Sequence, residues 1–150
     1  MSAQTLSPKN ELKRIQQLLQ QSKIADAEQS AIALLKRKID VEAQTQCWYL
    51  LAVCRRLQGR HESAIEAAQQ LLQINTEHAR AHQELGYNYR TLQKGKLASI
   101  HFYKATKLNP ALLSAWQALL PIYQQADQKE AVVLCTNQIT HLSGLPKSLL

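Results

Sequence analysis

Apolar residues along this chain recur three or four positions apart, the spacing that gathers them on one face of an α-helix. Leu12, Ile15, Leu18 and Leu19 form the first stripe, and Ala27, Ala31, Leu34 and Leu35 form the second. Continued along the chain, the pattern predicts helices near 9–21, 24–38, 43–58, 61–74, 79–92, 96–108, 111–126 and 128–142. Strand signals are absent, so the expected class is all-α. The stripes also repeat at longer range. Trp48, His82 and Trp116 stand 34 residues apart, as do Leu51, Leu85 and Leu119. Ala64 and Ala98 keep the step, Ala131 follows 33 residues later, and Ala27 precedes Ala64 by 37. A repeat of this length, made of two short helices, cannot bury its apolar face alone and stacks on its neighbours.

The middle copy reads His82-x2-Leu85-Gly86-x2-Tyr89, then Ala98-x3-Phe102, then Pro110. Small residues stand where two helices press together, and large ones fill the gaps beside them. The copy before it reads Trp48-x2-Leu51-Ala52, then Ala64, with Ala68 in the Phe position and Thr76 in the Pro position. The copy after it reads Trp116-x2-Leu119-Leu120-x2-Tyr123, then Ala131 and Cys135. This pattern resembles the tetratricopeptide repeat, with His82 where that family prefers Trp. The resemblance implies a right-handed superhelical solenoid of about four hairpins, about eight helices, spanning residues 9–143. Residues 1–8 are then expected to be a disordered tail, and 144–150 a tail or the start of a further segment. Gly59 and Gly95 fall in the short turns inside hairpins, where a left-handed backbone is often needed. Pro110 is expected to open a helix, and Pro121, inside one, to bend it. Asp127, with Glu130 three residues on, reads as an N-cap.

Composition narrows the function classes. With 45% hydrophobic residues, 150 residues can build an elongated core. No apolar run approaches the roughly 18 residues that cross a bilayer, and Met1–Arg14 lacks the apolar stretch of a secretory signal. Three cysteines, Cys47, Cys54 and Cys135, are too few and too odd in number for a disulfide framework; they read as packing thiols in a cytoplasmic protein.

Catalytic signatures are missing. There is no P-loop, dinucleotide fingerprint or nucleophile elbow. His78 and His82 have the spacing of two ligands on one helical face, but two nitrogens do not complete a metal site, and His82 has a core role in the repeat. No catalytic residue, cofactor or metal is assigned, and the chain is expected not to be an enzyme.

The side chains that the core leaves over form a second stripe on each first helix. In the middle copy it is Arg80, Gln83, Tyr87 and Arg90. One period earlier it is Gln46, Tyr49, Val53 and Arg56, and one period later Ser114, Gln117, Pro121 and Gln124. In tetratricopeptide repeats this stripe lines the concave surface. The resemblance therefore implies a protein-interaction scaffold that binds a peptide or protein segment there. Arginine forks and tyrosine rings suit a partner with acidic groups. The Lys and Asn clamp by which some members hold a C-terminal carboxylate is absent, since Tyr49 and Val53 occupy stripe positions and Asn88 lies off the stripe.

Charge supplies an alternative. The formal net charge is +7, and no acidic residue lies between Leu85 and Ala126, where Arg90, Lys94, Lys96, Lys104 and Lys107 fall. Such a run attracts nucleic acid, an anionic membrane, an acidic protein or another polyanion, although no nucleic-acid motif accompanies it. The ending Leu142–Leu150 is apolar for a solenoid end, which normally needs a polar cap. The last helix then packs within the chain, docks a second copy, or precedes further protein. Asn109-Pro110, Ala115-Trp116-x2-Leu119 and Leu145-Pro146 resemble the N-terminal repeat region of bacterial tetratricopeptide-repeat sulfotransferases. That resemblance implies a non-catalytic domain positioning a substrate or partner for a catalytic part elsewhere.

Overall fold

A computed structural model describes residues 5–145. Among them every regular element is helical, and the helices pair as hairpins: α1 (Pro8–Gln20) with α2 (Ile24–Leu35), α3 (Val41–Leu57) with α4 (His61–Ile74), α5 (Ala79–Thr91) with α6 (Gly95–Leu108), and α7 (Leu113–Gln125) with α8 (Lys129–Ser143). The expected helices are all present. The starts follow local capping chemistry. Ser7 Oγ accepts the Asn10 amide at 3.2 Å with Pro8 in the first turn, so α1 begins one residue earlier than its apolar stripe indicates. Asp40 Oδ1 accepts the Ala43 amide at 2.8 Å, and His78 Nδ1 accepts the Ala81 amide at 3.1 Å.

The described helices fall into two compact units, one ending at Thr76 and one beginning at Glu77. In the first, Ile15, Ala27, Ala31 and Leu34 are buried with Cys47, Leu51 and Cys54 of α3 and Ala64, Ala68 and Leu71 of α4. The Cys47 thiol donates to the Ala31 carbonyl at 3.2 Å, joining the first hairpin to the second. In the second unit, Ala98 and Phe102 of α6 share one core with Trp116 and Leu119 of α7 and Cys135 and Leu142 of α8. The contact between α5 and α6 depends on Gly86. A Cβ there would lie 2.6–2.8 Å from the Phe102 ring, which is itself fully buried. The repeat's small-beside-large rule thus has a specific cause at this pair.

Three local expectations change. The left-handed residue of each intra-hairpin turn is Ser22, Gly59, Gln93 or Asp127, with φ of 60°, 78°, 61° and 53°. Gly59 meets that expectation, whereas Gly95 sits two residues past the left-handed position and opens α6. Asp127 occupies the same turn position and does not cap α8; the cap is Gln128, without a side-chain hydrogen bond. Pro110 lies in the loop before α7, and its carbonyl accepts the Trp116 indole N–H at 2.9 Å. Pro121 does lie inside α7, on its exposed side, and the helix continues beyond it.

Candidate functional site

The stripe on α5 is the best-defined candidate surface. Residues three, four and three positions apart bring Arg80, Gln83, Tyr87 and Arg90 to one side of that helix. Gln83 Nε2 donates to Tyr87 Oη at 2.9 Å and also to Ser114 Oγ on α7. The amide thereby ties the stripes of two neighbouring first helices together. It is also nearly inaccessible, 3% exposed, so Gln83 positions the site and does not offer its side chain to a partner. Tyr87 is half-buried, its ring set edge-on to Phe102 at 5.3 Å and 70°. Over it lies the Arg90 guanidinium, 5.3 Å from the Tyr87 centroid and 5.7 Å from that of Phe102. Rings beneath a guanidinium limit its motion and leave its N–H edge available.

Arg80 and Arg90 are both exposed. Among the described residues no carboxylate is paired with either. On α7, Gln117, Pro121 and Gln124 are exposed, so the amides expected there are accessible.

In the first unit the stripe on α3 is less open. Gln46 is exposed, whereas Tyr49, Val53 and Arg56 are half-buried. Gln46 lines a cavity of about 560 Å³ between α1 and α3, together with Lys9, Lys13, Gln16 and Glu42. Lys9, Lys13 and Gln16 escaped the sequence reading because the degenerate first hairpin gave no register to carry a stripe onto α1.

The two histidines that share a helical face, His78 and His82, take separate partners. His78 is an N-cap whose protonation is disfavoured by burial and by nearby Arg80. His82 turns instead to His101 of α6, Nδ1 to Nδ1 at 3.1 Å with stacked rings, and Tyr89 also stacks on His101. Burial, with His82 and Lys104 nearby, lowers the His101 pKa to about 4. This stack was missed because its members come from separate helices. Among the described residues no three His, Cys, Asp or Glu side chains gather to hold a metal ion. Burial raises all three thiol pKa values, Cys47 to about 12 and Cys54 to about 11, which keeps them as thiols near neutral pH. Nor is any described helix long and apolar enough to cross a membrane.

Comparison with known proteins agrees with the repeat register. The tetratricopeptide repeat model matches residues 45–78 and 79–112. No curated protein matches the chain. Among solved structures, MamA superposes with a TM-score of 0.76 at 19% identity, over 91% of this chain and 78% of its own. The C-terminal repeat domain of a Plasmodium falciparum FK506-binding protein gives 0.69 at 18%, over 83% and 91%. A human IFIT1 dimer with m7Gppp-AAAA gives 0.75 at 16%, over 89% of this chain and 33% of that one. At these identities the likeness is one of fold.

Proposed function

We propose that this tetratricopeptide-repeat chain, in which residues 45–112 match two repeats of that family, binds an acid-bearing peptide or protein segment along the stripe of α5 and its neighbour α7. Tetratricopeptide-repeat proteins generally mediate protein–protein interactions. The finer reading rests on one observation. Arg80 and Arg90 stand exposed without carboxylate partners, and Arg90 lies over the Tyr87 ring. A guanidinium held this way gives a carboxylate two parallel hydrogen bonds with little side-chain entropy left to lose. Tyr87 adds a flat apolar surface beside the charge. Gln117 and Gln124 supply amides for the partner's backbone.

IFIT1, similar in fold to this chain over 33% of its own length, is solved with m7Gppp-AAAA, and residues 85–126 here carry no acidic side chain. A polyanion is therefore the second reading here. The amides and the ring beside the arginines favour a peptide. The sulfotransferase-like reading, in which the repeats position a substrate for a larger enzyme, draws support only from the motifs within residues 80–150.

The test is a pull-down from the source cell with wild type and with Arg80→Ala/Arg90→Ala, far-UV circular dichroism confirming that the fold is kept. Depletion of a specific partner by the double substitution is expected. Equal capture by both proteins contradicts the assignment.

A further inference from the structure

The second helix of the third hairpin presents a face that the first-helix stripe does not use. Leu97, Ile100 and Tyr103 of α6 are 40%, 51% and 45% exposed. At about 100° per residue, they share roughly a third of the helix circumference with Lys96, Lys104 and Lys107. Ala98, Phe102 and Ala105, on the opposite side, are wholly buried. The lysines are interleaved with the apolar side chains, and Lys107 Nζ lies 5.2 Å from the Tyr103 ring centroid. No acidic residue occurs between Leu85 and Ala126 to neutralise this face from α6 or α7.

We infer that this face of α6 docks the chain on an anionic lipid surface. Three large apolar side chains gathered on one face, each about half exposed, gain by burial in an apolar partner, and their lysine neighbours select for negative charge. Lysine suits lipid phosphates as a flexible point charge, with its stem lying along apolar surface while the ammonium reaches the headgroup. Leu97 and Ile100 enter the acyl boundary, and Tyr103 sits at the headgroup level. A nucleic-acid backbone meets the lysines equally well but leaves Leu97 and Ile100 in water. An acidic peptide is better served by the arginine stripe on α5.

The experiment is flotation of the full chain with phosphatidylglycerol/phosphatidylcholine vesicles, set against phosphatidylcholine alone, with duplex DNA and polyglutamate titrated in parallel. The chain is expected to float with the anionic vesicles and not with the neutral ones. Lys104→Gln and Lys107→Gln should each lower partitioning by about fivefold, and Leu97→Ser with Ile100→Ser by about tenfold. These positions are exposed, so the fold should survive. In a Trp48→Phe/Trp116→Phe background, the emission of Tyr103→Trp should shift to the blue on anionic vesicles and not with polyglutamate. No preference for anionic over neutral vesicles overturns the inference. So does binding that depends on the lysines but ignores Leu97→Ser/Ile100→Ser, because polyanion attraction alone then accounts for it.

Discussion

In the first unit one repeat position closes the seam between hairpins with charge, whereas in the second the same position carries rings. Glu28 of α2 meets Arg55 Nε of α3 at 3.5 Å, and also Arg60 from the following turn. Arg55 additionally donates to the Ser63 carbonyl at 3.1 Å. One and two periods later, the Arg55 position carries Tyr89 and Tyr123. Tyr89 stacks on His101, and Tyr123 packs against the core built on Phe102 and Trp116. One backbone geometry therefore accepts two chemistries at the same repeat position. The pairing of small and large residues spaces the helices, and the residues at this repeat position decide what the spacing responds to: salt in one unit, pH and packing in the other.

Trp48 and Trp116, the two tryptophans of the chain, lie in different units and allow each to be followed separately. The largest expected effect is that of Phe102→Ala. Removing a fully buried ring should cost about 3–5 kcal/mol, seen as an earlier urea transition of Trp116 fluorescence in a Trp48→Phe background. Salt should leave that loss unchanged. Glu28→Gln comes next, with a loss of about 1–3 kcal/mol because Arg55 keeps its charge in a largely enclosed place. Read through Trp48 in a Trp116→Phe background, the gap from wild type should narrow in 1 M salt, where screening weakens the wild-type pair.

Acid should separate the units in the opposite sense. His101 titrates near 4 when folded, against an ordinary value of 6.5. The unfolded chain therefore takes up a proton at a pH where the folded one does not. Stability of the second unit should be unaffected above about pH 6.5, fall as the pH drops toward 4, and level off below that. After allowance for solvent screening the drop is up to roughly 2 kcal/mol. His101→Leu should reduce the slope between pH 6.5 and 5, leaving the part that His78 contributes. The smallest effects belong to the turns. Gln93→Gly and Asp127→Gly should each add about 0.5–1 kcal/mol by removing left-handed strain, as Gly59 already does in the first unit. Thermal melts of the single variants check this.

The helices and their pairing were legible because burial imposes a period, and 34 residues is long enough to show it three times. Gly86 was legible for the same reason, since its neighbour Phe102 is set by the register. The left-handed turn residues were not, because Ser22, Gln93 and Asp127 tolerate a conformation that only glycine advertises. The Glu28–Arg55 pair and the His82–His101–Tyr89 stack were hidden because their partners come from different helices and share no spacing rule. On the candidate surface, Arg80, Tyr87 and Arg90 stand on one side of α5 as the stripe predicts. Gln83 does too, but an amide that binds a partner and one that is buried against Ser114 look alike in sequence.

The central claim, that the arginine stripe recognises acidic segments, is tested most directly by selecting peptides from a displayed random library on the full chain. The selected peptides are then titrated against wild type, Arg80→Ala/Arg90→Ala, and the charge-matched control Lys104→Gln/Lys107→Gln. Peptides rich in Asp and Glu are expected, with binding weakened by about tenfold or more in the arginine variant and almost unchanged in the lysine control. Equal losses in both variants, or none in either, would contradict the account.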